Sequence, residues 1–437
     1  MSDITLVNLY YENQAGYVPI GPLYVTAALE QENYQVDFRD FLVGSSVYSE
    51  PLNPDNILSF LDHSADIIGI SCASELLPLA VLALQKLKRA YPTKTVILGG
   101  IGPAGVAQEL LEQFPFIDIV VNGEGERTAV ELMKRISTGK PLHDVRGIFF
   151  RQGSKVTAAP ARERVRNLDE LPFPAYHQVD LSHYAVTGIY SARGCPYACT
   201  FCDVSRFWKG PRSTRSISNM INEINLLTDL YHRHEIDIMD DIFVTGRAKV
   251  LAFCNQVKKQ DVDFRWACCG RIDLMDEELM AEMAAAGCHL IFYGIESGSD
   301  QILQHITKGF TAAQAKDILV KSRKYVQVSV SLMWGFPFET MKDFEETLAF
   351  RDFARDIGCE VDNYLLAPLP LSPLYNEYKN SLVFAGEKCG LLTGSSQDDV
   401  MDFIRSYPQI SHWYYRFPTE NFTGKYDIIG NDKEGNI

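Results

Sequence analysis

The chain has 437 residues and 46% of them are hydrophobic, enough for a sizeable core, which excludes wholesale disorder. At roughly 150 residues per domain, two or three domains are expected. With 41 basic and 56 acidic residues the net charge is −15. This disfavours a broad nucleic-acid surface, while uncharged stretches such as Tyr325–Phe338 fall short of the roughly 18 apolar residues a membrane helix needs.

The opening Ser2-Asp3 runs straight into a strand-like segment, so no signal peptide is expected and a cytoplasmic location follows. Short apolar runs at Ile4–Leu9, Gln35–Phe38, Ile67–Ser71, Thr95–Leu98 and Ile117–Val121 read as strands. Helical patterns lie near Pro22–Gln31, Leu76–Ala90, Ala104–Gln113 and Arg127–Ile136. Strands alternating with helices predict βαβ units and an open, doubly wound parallel sheet, which binds ligands beyond the carboxyl ends of its strands. Two glycine-rich loops fall at such ends, Gly99-Gly100-Ile101-Gly102-Pro103 and Asn122-Gly123-Glu124-Gly125-Glu126. Glycine lets a backbone approach a bulky ligand closely, although plain turn chemistry accounts for the same spacing. No Gly-x-Gly-x-x-Gly opens the first helix and there is no Walker lysine, so those two nucleotide folds are poorly supported. The stretch Val156–Leu171 reads as a charged, irregular linker, and Leu171-Pro172-Phe173-Pro174 as a rigid extended boundary.

Ten cysteines follow a pattern of their own. Seven are scattered (Cys72, Cys254, Cys268, Cys269, Cys288, Cys359, Cys389) and read as small buried hydrophobes. Three are clustered in Arg193-Gly194-Cys195-Pro196-Tyr197-Ala198-Cys199-Thr200-Phe201-Cys202, just after a strand-like Gly188–Ser191. Three thiolates within eight residues can converge on one face of a metal cluster. Zinc would want a fourth protein ligand, and the next candidates, His232 and Cys254, are distant in sequence. A [4Fe–4S] cluster held by three thiolates leaves one iron open to a small molecule. A zinc knuckle or coincidence is the alternative.

The spacing C-x3-C-x-aromatic-C after a strand resembles the signature of radical S-adenosylmethionine enzymes. Four later segments extend the resemblance. Ile238-Met239-Asp240-Asp241-Ile242-Phe243 is similar to a strand ending near the methionine amine, and Trp266-Ala267-Cys268-Cys269-Gly270-Arg271 to one whose arginine faces the methionine carboxylate. Tyr293-Gly294-Ile295-Glu296-Ser297-Gly298-Ser299 is similar to the segment near the ribose, and Ser331–Thr340, with Gly335, to the adenine side. There the chain departs from the family, with Phe338 where a glycine is usual. The resemblance implies that Cys195, Cys199 and Cys202 hold the cluster. It implies that Phe201, Asp240, Asp241, Arg271, Glu296, Ser297 and Gly335 border S-adenosylmethionine. Other readings of single residues stay open: a surface ion pair for Arg271, a helix cap for Glu296, a divalent-metal site or a strand end for Asp240-Asp241.

The front region resembles the cobalamin-binding domain that precedes this barrel in one subgroup. The residues that carry the resemblance are Tyr17-x-Pro19-x-Gly21-Pro22, Asp66–Ser71, Ile97-Leu98-Gly99-Gly100, Gly123-Glu124-Gly125-Glu126 and Leu168-x-x-Leu171-Pro172-x-Pro174. It implies a cobalamin site bordered by Tyr17, Pro19, Gly21, Ser71, Gly99, Gly100, Ile101, Gly102, Gly123, Glu124 and Gly125. No Asp-x-His-x-x-Gly string occurs and Ile101 stands where members often have histidine, so a histidine ligand to cobalt is not expected. A vestigial sheet without cobalamin is the alternative. Cys72 is the only cysteine before the triplet, which argues against the methylthiotransferase relatives and their second cluster.

The tail beyond Val361–Leu366 is rich in aromatic residues (Trp413, Tyr414, Tyr415, Phe417, Phe422, Tyr426) and reads equally as a packed cap or a substrate lid, ending in a loose Gly430–Ile437. The expected organisation is a Rossmann-like cobalamin domain over 1–140, a linker over 141–185, a partial (β/α)6 TIM-type radical barrel over 186–370 and a small C-terminal cap over 371–437, with both cofactors meeting between the first two domains. The resemblance implies a cobalamin-dependent radical S-adenosylmethionine methyltransferase. One S-adenosylmethionine would methylate cobalamin, and a second would yield a 5′-deoxyadenosyl radical that activates an unreactive carbon. A cyclase, ring contraction or other rearrangement on the same cofactors is the enzymatic alternative, and a cobalamin or redox sensor the non-enzymatic one. The expected partners are a small or medium-sized substrate and an electron donor such as flavodoxin or ferredoxin, with no bulk nucleic acid and no membrane span.

Overall fold

A computed structural model describes residues 2–11, 16–260, 263–386 and 398–430. The chain divides into two units. The first comprises 1–166, 170–185 and 386–414, and the second 167–169, 186–385 and 415–437.

In the first unit, apolar β-branched runs form a sheet in the order β2-β1-β3-β4-β5-β6-β7. Its strands are β1 (Ile4–Leu9), β2 (Val36–Asp40), β3 (Ile67–Cys72), β4 (Thr95–Gly99), β5 (Ile119–Val121), β6 (Ile148–Gln152) and β7 (Lys155–Ala158). The first five are parallel, as the alternation of strands and helices predicts. Its helices include α1 (Ile20–Gln31), α2 (Pro54–Phe60), α3 (Leu77–Ala90), α4 (Ala107–Gln113) and α5 (Glu126–Ser137). α5 begins with Glu126 and carries Lys134 and Arg135 in its last turn, charges that complement the helix dipole. Ile97, Ile119, Leu132, Ile148 and Phe150 share one core cluster.

Two expectations are corrected here. The sheet ends in two antiparallel strands, so Lys155–Ala158, part of which was expected to be irregular linker, is a strand. The reason is a tight hairpin whose Gly153 adopts φ +63, a conformation that costs glycine little. The segment 371–437 is also not one cap. Helix Asp398–Ser406 belongs to the first unit, where Phe403 and Tyr407 pack on Phe114 with ring centroids 5.7 and 4.9 Å away. Cys389 and 431–437 lie outside the described residues.

The second unit is a six-stranded, all-parallel partial barrel in the order β13-β12-β11-β10-β9-β8, as expected. Its strands are β8 (Thr187–Ile189), β9 (Glu235–Ile238), β10 (Arg265–Gly270), β11 (Cys288–Glu296), β12 (Gln327–Trp334) and β13 (Glu360–Leu365). Its helices include α6 (Ile217–Tyr231), α7 (Arg247–Gln260), α8 (Glu277–Ala285), α9 (Ala312–Ser322), α10 (Met341–Asp356) and the C-terminal α11 (Phe422–Gly430). Alternation along each strand sorts the faces. Trp266 packs on Phe253 of α7, Tyr293 bonds to Ser322 of α9 at 3.0 Å, and Trp334 meets Phe344 of α10. The intervening Asp237, Cys269, Phe292, Ser329, Ser331 and Asp362 therefore face the barrel interior. α9 and α10 both open with capping boxes, Thr311 with Gln314 and Thr340 with Asp343. Among the described residues no helix is long and apolar enough to cross a membrane.

Candidate functional site at the carboxyl edge of the barrel

β8 ends at Ile189 and the chain turns through Tyr190–Gly194 into the three-cysteine loop. Cys199 is buried and Cys195 and Cys202 are half-buried, so the three thiols sit at the rim of the barrel. Cys202 is pushed up to about 12, chiefly by burial, with Asp203, Cys199 and Cys195 acting the same way. Burial is also the main cause of the rise at Cys195, with Cys199 adding to it. The three sulfurs are thus electrostatic neighbours. Among the described residues no three histidine, cysteine or acidic side chains close around a single ion. The loop is tied down at its far end. Thr200 donates its N–H to Ile306 O at 3.3 Å, Thr307 donates its hydroxyl to Ala198 O at 3.2 Å, and Leu374 N–H reaches Thr200 O at 2.9 Å.

Asp240, just past β9, anchors the near end. Its Oδ1 accepts the N–H groups of Ser191 (2.7 Å) and Ala192 (2.9 Å), and its Oδ2 accepts the Ser191 hydroxyl (2.5 Å) and Arg212 (3.1 Å). Arg212 goes on to donate to Gly194 O, Ile242 O and Thr245 Oγ1. Asp241 accepts the Gly194 N–H at 3.0 Å. Burial raises the pKa of both carboxyls, and these donors oppose it. Asp240 is therefore committed to the approach to the cysteine loop rather than open to a ligand. Arg212 gave no signal in the sequence.

Arg271 follows β10 and is 8% exposed, which removes the surface ion-pair reading. Its guanidinium lies 3.7 Å from the ring centroid of Tyr197, inside the cysteine triplet, and Nε is 2.7 Å from Asp273. It also donates to Lys308 O. Glu296, 5% exposed, pairs with Lys308 at 3.1 Å and accepts from Ser331 at 3.4 Å. It caps no helix, since the next helix begins at Asp300. Register slips between Gly294 and Glu296, and Glu296 adopts φ +75, a strained conformation for a side-chain-bearing residue. Lys308 and Tyr197 are participants that spacing alone did not single out, although Tyr197 stands between two of the cysteines.

Ser297 exchanges a 2.8 Å hydrogen bond with Thr347 and accepts the Ser299 N–H at 3.1 Å, so its hydroxyl serves the fold. Gly335 adopts φ +92, where a side chain is strained, and a Cβ there would lie 2.9 Å from Leu365. Phe201 meets Phe336 edge-on at 6.4 Å, Phe336 stacks on Phe338 at 5.8 Å, and His305 stacks on Phe338 at 4.7 Å. Phe338, the departure from the family pattern, thus extends an aromatic wall beginning beside Cys202.

In the first unit the expected cobalamin residues divide. Tyr17 (43%) and Ile101 (46%) are exposed, Ser71 is half-buried, Pro19 is buried, and a Cβ on Gly21 or Gly123 would meet nothing within 4 Å. Tyr17, Ile101, Gly21 and Gly123 thus leave space for a bulky ligand, and Pro19 does not. A Cβ on Gly100 would lie 2.8 Å from Cys72 O, and one on Gly102 would lie 2.7 Å from the Ala73 backbone, so both glycines serve the packing of two loops. Gly99 has ordinary clearance, and Gly125 needs its small size against Val25. The Glu124 carboxylate accepts the Val165 N–H at 2.8 Å. Asp40, not singled out in the sequence, accepts Tyr184 at 2.6 Å and Asn8 at 2.9 Å at the carboxyl edge of the sheet.

Comparison with known proteins agrees with this two-unit fold. A radical SAM superfamily model matches residues 189–351, and a B12-binding domain model matches 14–133. An uncharacterized methyltransferase of Pyrococcus horikoshii is 29% identical over 82% of this chain and 77% of its own. The anaerobic magnesium-protoporphyrin IX monomethyl ester cyclase of Rubrivivax gelatinosus is 28% identical over 80% of this chain and 65% of its own. The solved radical S-adenosylmethionine methyltransferase TsrM of Kitasatospora setae, with cobalamin and a [4Fe–4S] cluster bound, shares the fold with a TM-score of 0.70 at 18% identity. That match covers 91% of this chain and 80% of its own. The chain joins a B12-binding domain to a radical SAM domain and is a cobalamin-dependent radical SAM enzyme.

Proposed function

We propose that the protein transfers a methyl group to an unactivated carbon of a small or medium-sized substrate. The observation that carries this is one carboxyl edge bearing three neighbouring thiols, a buried arginine stacked over their loop and a buried glutamate–lysine pair, in a chain whose other unit matches a B12-binding domain. When bound to the chain, a reduced [4Fe–4S] cluster, S-adenosylmethionine and cobalamin would supply a carbon-centred adenosyl radical and a transferable methyl group. The chain positions these groups and keeps water out. Cys195, Cys199 and Cys202 would hold the cluster, to which the amino acid end of S-adenosylmethionine would bind. Arg271 presents a guanidinium to its carboxylate, while Asp240 and Asp241 hold the loop in place from behind. Glu296, paired with Lys308, accepts ribose hydroxyls, and Gly335 with the Phe201–Phe336–Phe338 wall borders the adenine. Tyr17, Gly21, Ile101 and Gly123 border the corrin, and no histidine is assigned to cobalt. An electron donor such as flavodoxin or ferredoxin and a cytoplasmic location complete the reading.

The relative named as a cyclase favours a second reading, cyclisation or rearrangement on the same groups. Product counting separates them. With reductant and cobalamin supplied, the methyltransferase forms both S-adenosylhomocysteine and 5′-deoxyadenosine. A cyclase forms 5′-deoxyadenosine without S-adenosylhomocysteine, a result that rejects methyl transfer. Neither product above background would leave the non-catalytic sensor.

A further inference from the structure

α11 is buried against the barrel by an arrangement that packing does not require. Trp334 stacks on Phe422 at 5.5 Å, which already gives the helix an apolar seat. Yet Lys425, with a side chain 0% exposed, is driven into the same seat. Its ammonium donates to Glu339 Oε2 (2.8 Å), Glu339 O (3.2 Å) and Thr419 Oγ1 (3.2 Å), so all three of its N–H groups have acceptors. Glu339 is equally buried, and its Oε1 has no hydrogen-bond partner among the described residues. A pair kept for stability alone would be better replaced by apolar side chains. An apolar pair, however, could not accept the Gly335 N–H, which Glu339 Oε2 does at 3.0 Å.

That hydrogen bond closes the turn in which Gly335 holds φ +92. The turn runs directly into the Thr340–Asp343 capping box of α10, and Asp343 also accepts the Ser299 hydroxyl at 2.6 Å. Thr347, one turn further along α10, accepts the Gly298 N–H at 3.1 Å. The two segments assigned to the adenine and ribose sides are therefore cross-tied through α10, and the free end of that tie is Lys425. We infer that Lys425 is a positioning residue for S-adenosylmethionine: by fixing Glu339 it holds the Gly335–Thr340 turn in its ligand-ready shape, which makes α11 a strut and not a lid. The inference rests on the proposed reading that Gly335 borders the adenine.

The test uses anaerobically prepared holoenzyme. Lys425→Met alone leaves a carboxylate buried without its partner and is expected to fold poorly. The decisive variant is therefore the double replacement Lys425→Met with Glu339→Met, which removes both charges. It should keep wild-type iron and cobalamin content, yet bind S-adenosylmethionine at least tenfold more weakly in equilibrium dialysis. 5′-Deoxyadenosine formation at saturating S-adenosylmethionine should stay within threefold, a KM effect with little kcat effect. A folded double variant that binds S-adenosylmethionine within twofold of wild type overturns the inference. Hydrogen exchange of 335–340 in the wild type separates this from failure of the underlying reading. If added S-adenosylmethionine slows exchange there, the turn borders the ligand and only the role of Lys425 is at stake. If it does not, the adenine assignment falls and the inference with it.

Discussion

Asp237 faces the barrel interior from β9, and burial raises its carboxyl pKa from 3.8 to about 6. A folded-state pKa above the unfolded one means that ionisation works against folding: the acid form's advantage is complete below about pH 4 and is lost as pH rises through 6. Asp237→Asn should therefore raise stability by about 1–3 kcal/mol at pH 8, with the gain shrinking towards zero as pH falls below 5. Thermal unfolding at several pH values checks this, and a gain independent of pH would contradict the burial argument. The neighbouring Cys269 is raised to about 12, first by burial and then by the nearby acidic groups, so it stays a thiol at neutral pH. Its placement supports the bland reading of the scattered cysteines, which the buried Cys72, Cys254, Cys268, Cys288 and Cys359 share.

Between residue and molecule, the element that matters most is the cysteine loop, whose near end Asp240 anchors. Asp240→Asn leaves an amide facing two N–H donors and Arg212, so at least one buried donor loses its acceptor, at about 1–3 kcal/mol or more. The expected outcome is reduced iron occupancy after reconstitution with the barrel still folded, read from iron content beside circular dichroism. Full iron occupancy would mean that the loop does not need this anchor. The legibility of such elements followed a rule. The cysteine spacing is visible because all three ligands fall within eight residues, and the parallel strands because apolar runs declare themselves. The supports were not visible, because their partners are distant: Arg212 is 28 residues from Asp240, and Lys425 is 86 from Glu339. A lysine in an unremarkable C-terminal stretch carries no local sign that it will be buried. The hairpin at Lys155–Ala158 was hidden for another reason, since an edge strand with one exposed face reads as a charged linker.

For the whole molecule, two βα-rich units of different kinds were legible in outline, as an open sheet followed by a parallel barrel. The C-terminal segment was not. Its aromatic residues announce burial but not against what, and they divide between the units: Tyr414 donates to Glu75 O at 2.7 Å in the first, and Phe422 stacks on Trp334 in the second. The cobalamin expectations divide in the same physical way. Gly100 and Gly102 are needed by neighbouring backbone whether or not a ligand binds, while Gly21 and Gly123 front open space. The central claim is that Cys195, Cys199 and Cys202 hold a cluster that works with cobalamin. Its most direct test is metal and product analysis of protein purified anaerobically with cobalamin supplied, beside a Cys199→Ala variant. The account predicts about four irons and one cobalt per wild-type chain, with iron and 5′-deoxyadenosine formation both lost in the variant. Zinc in place of iron, or deoxyadenosine still formed by Cys199→Ala, would contradict it.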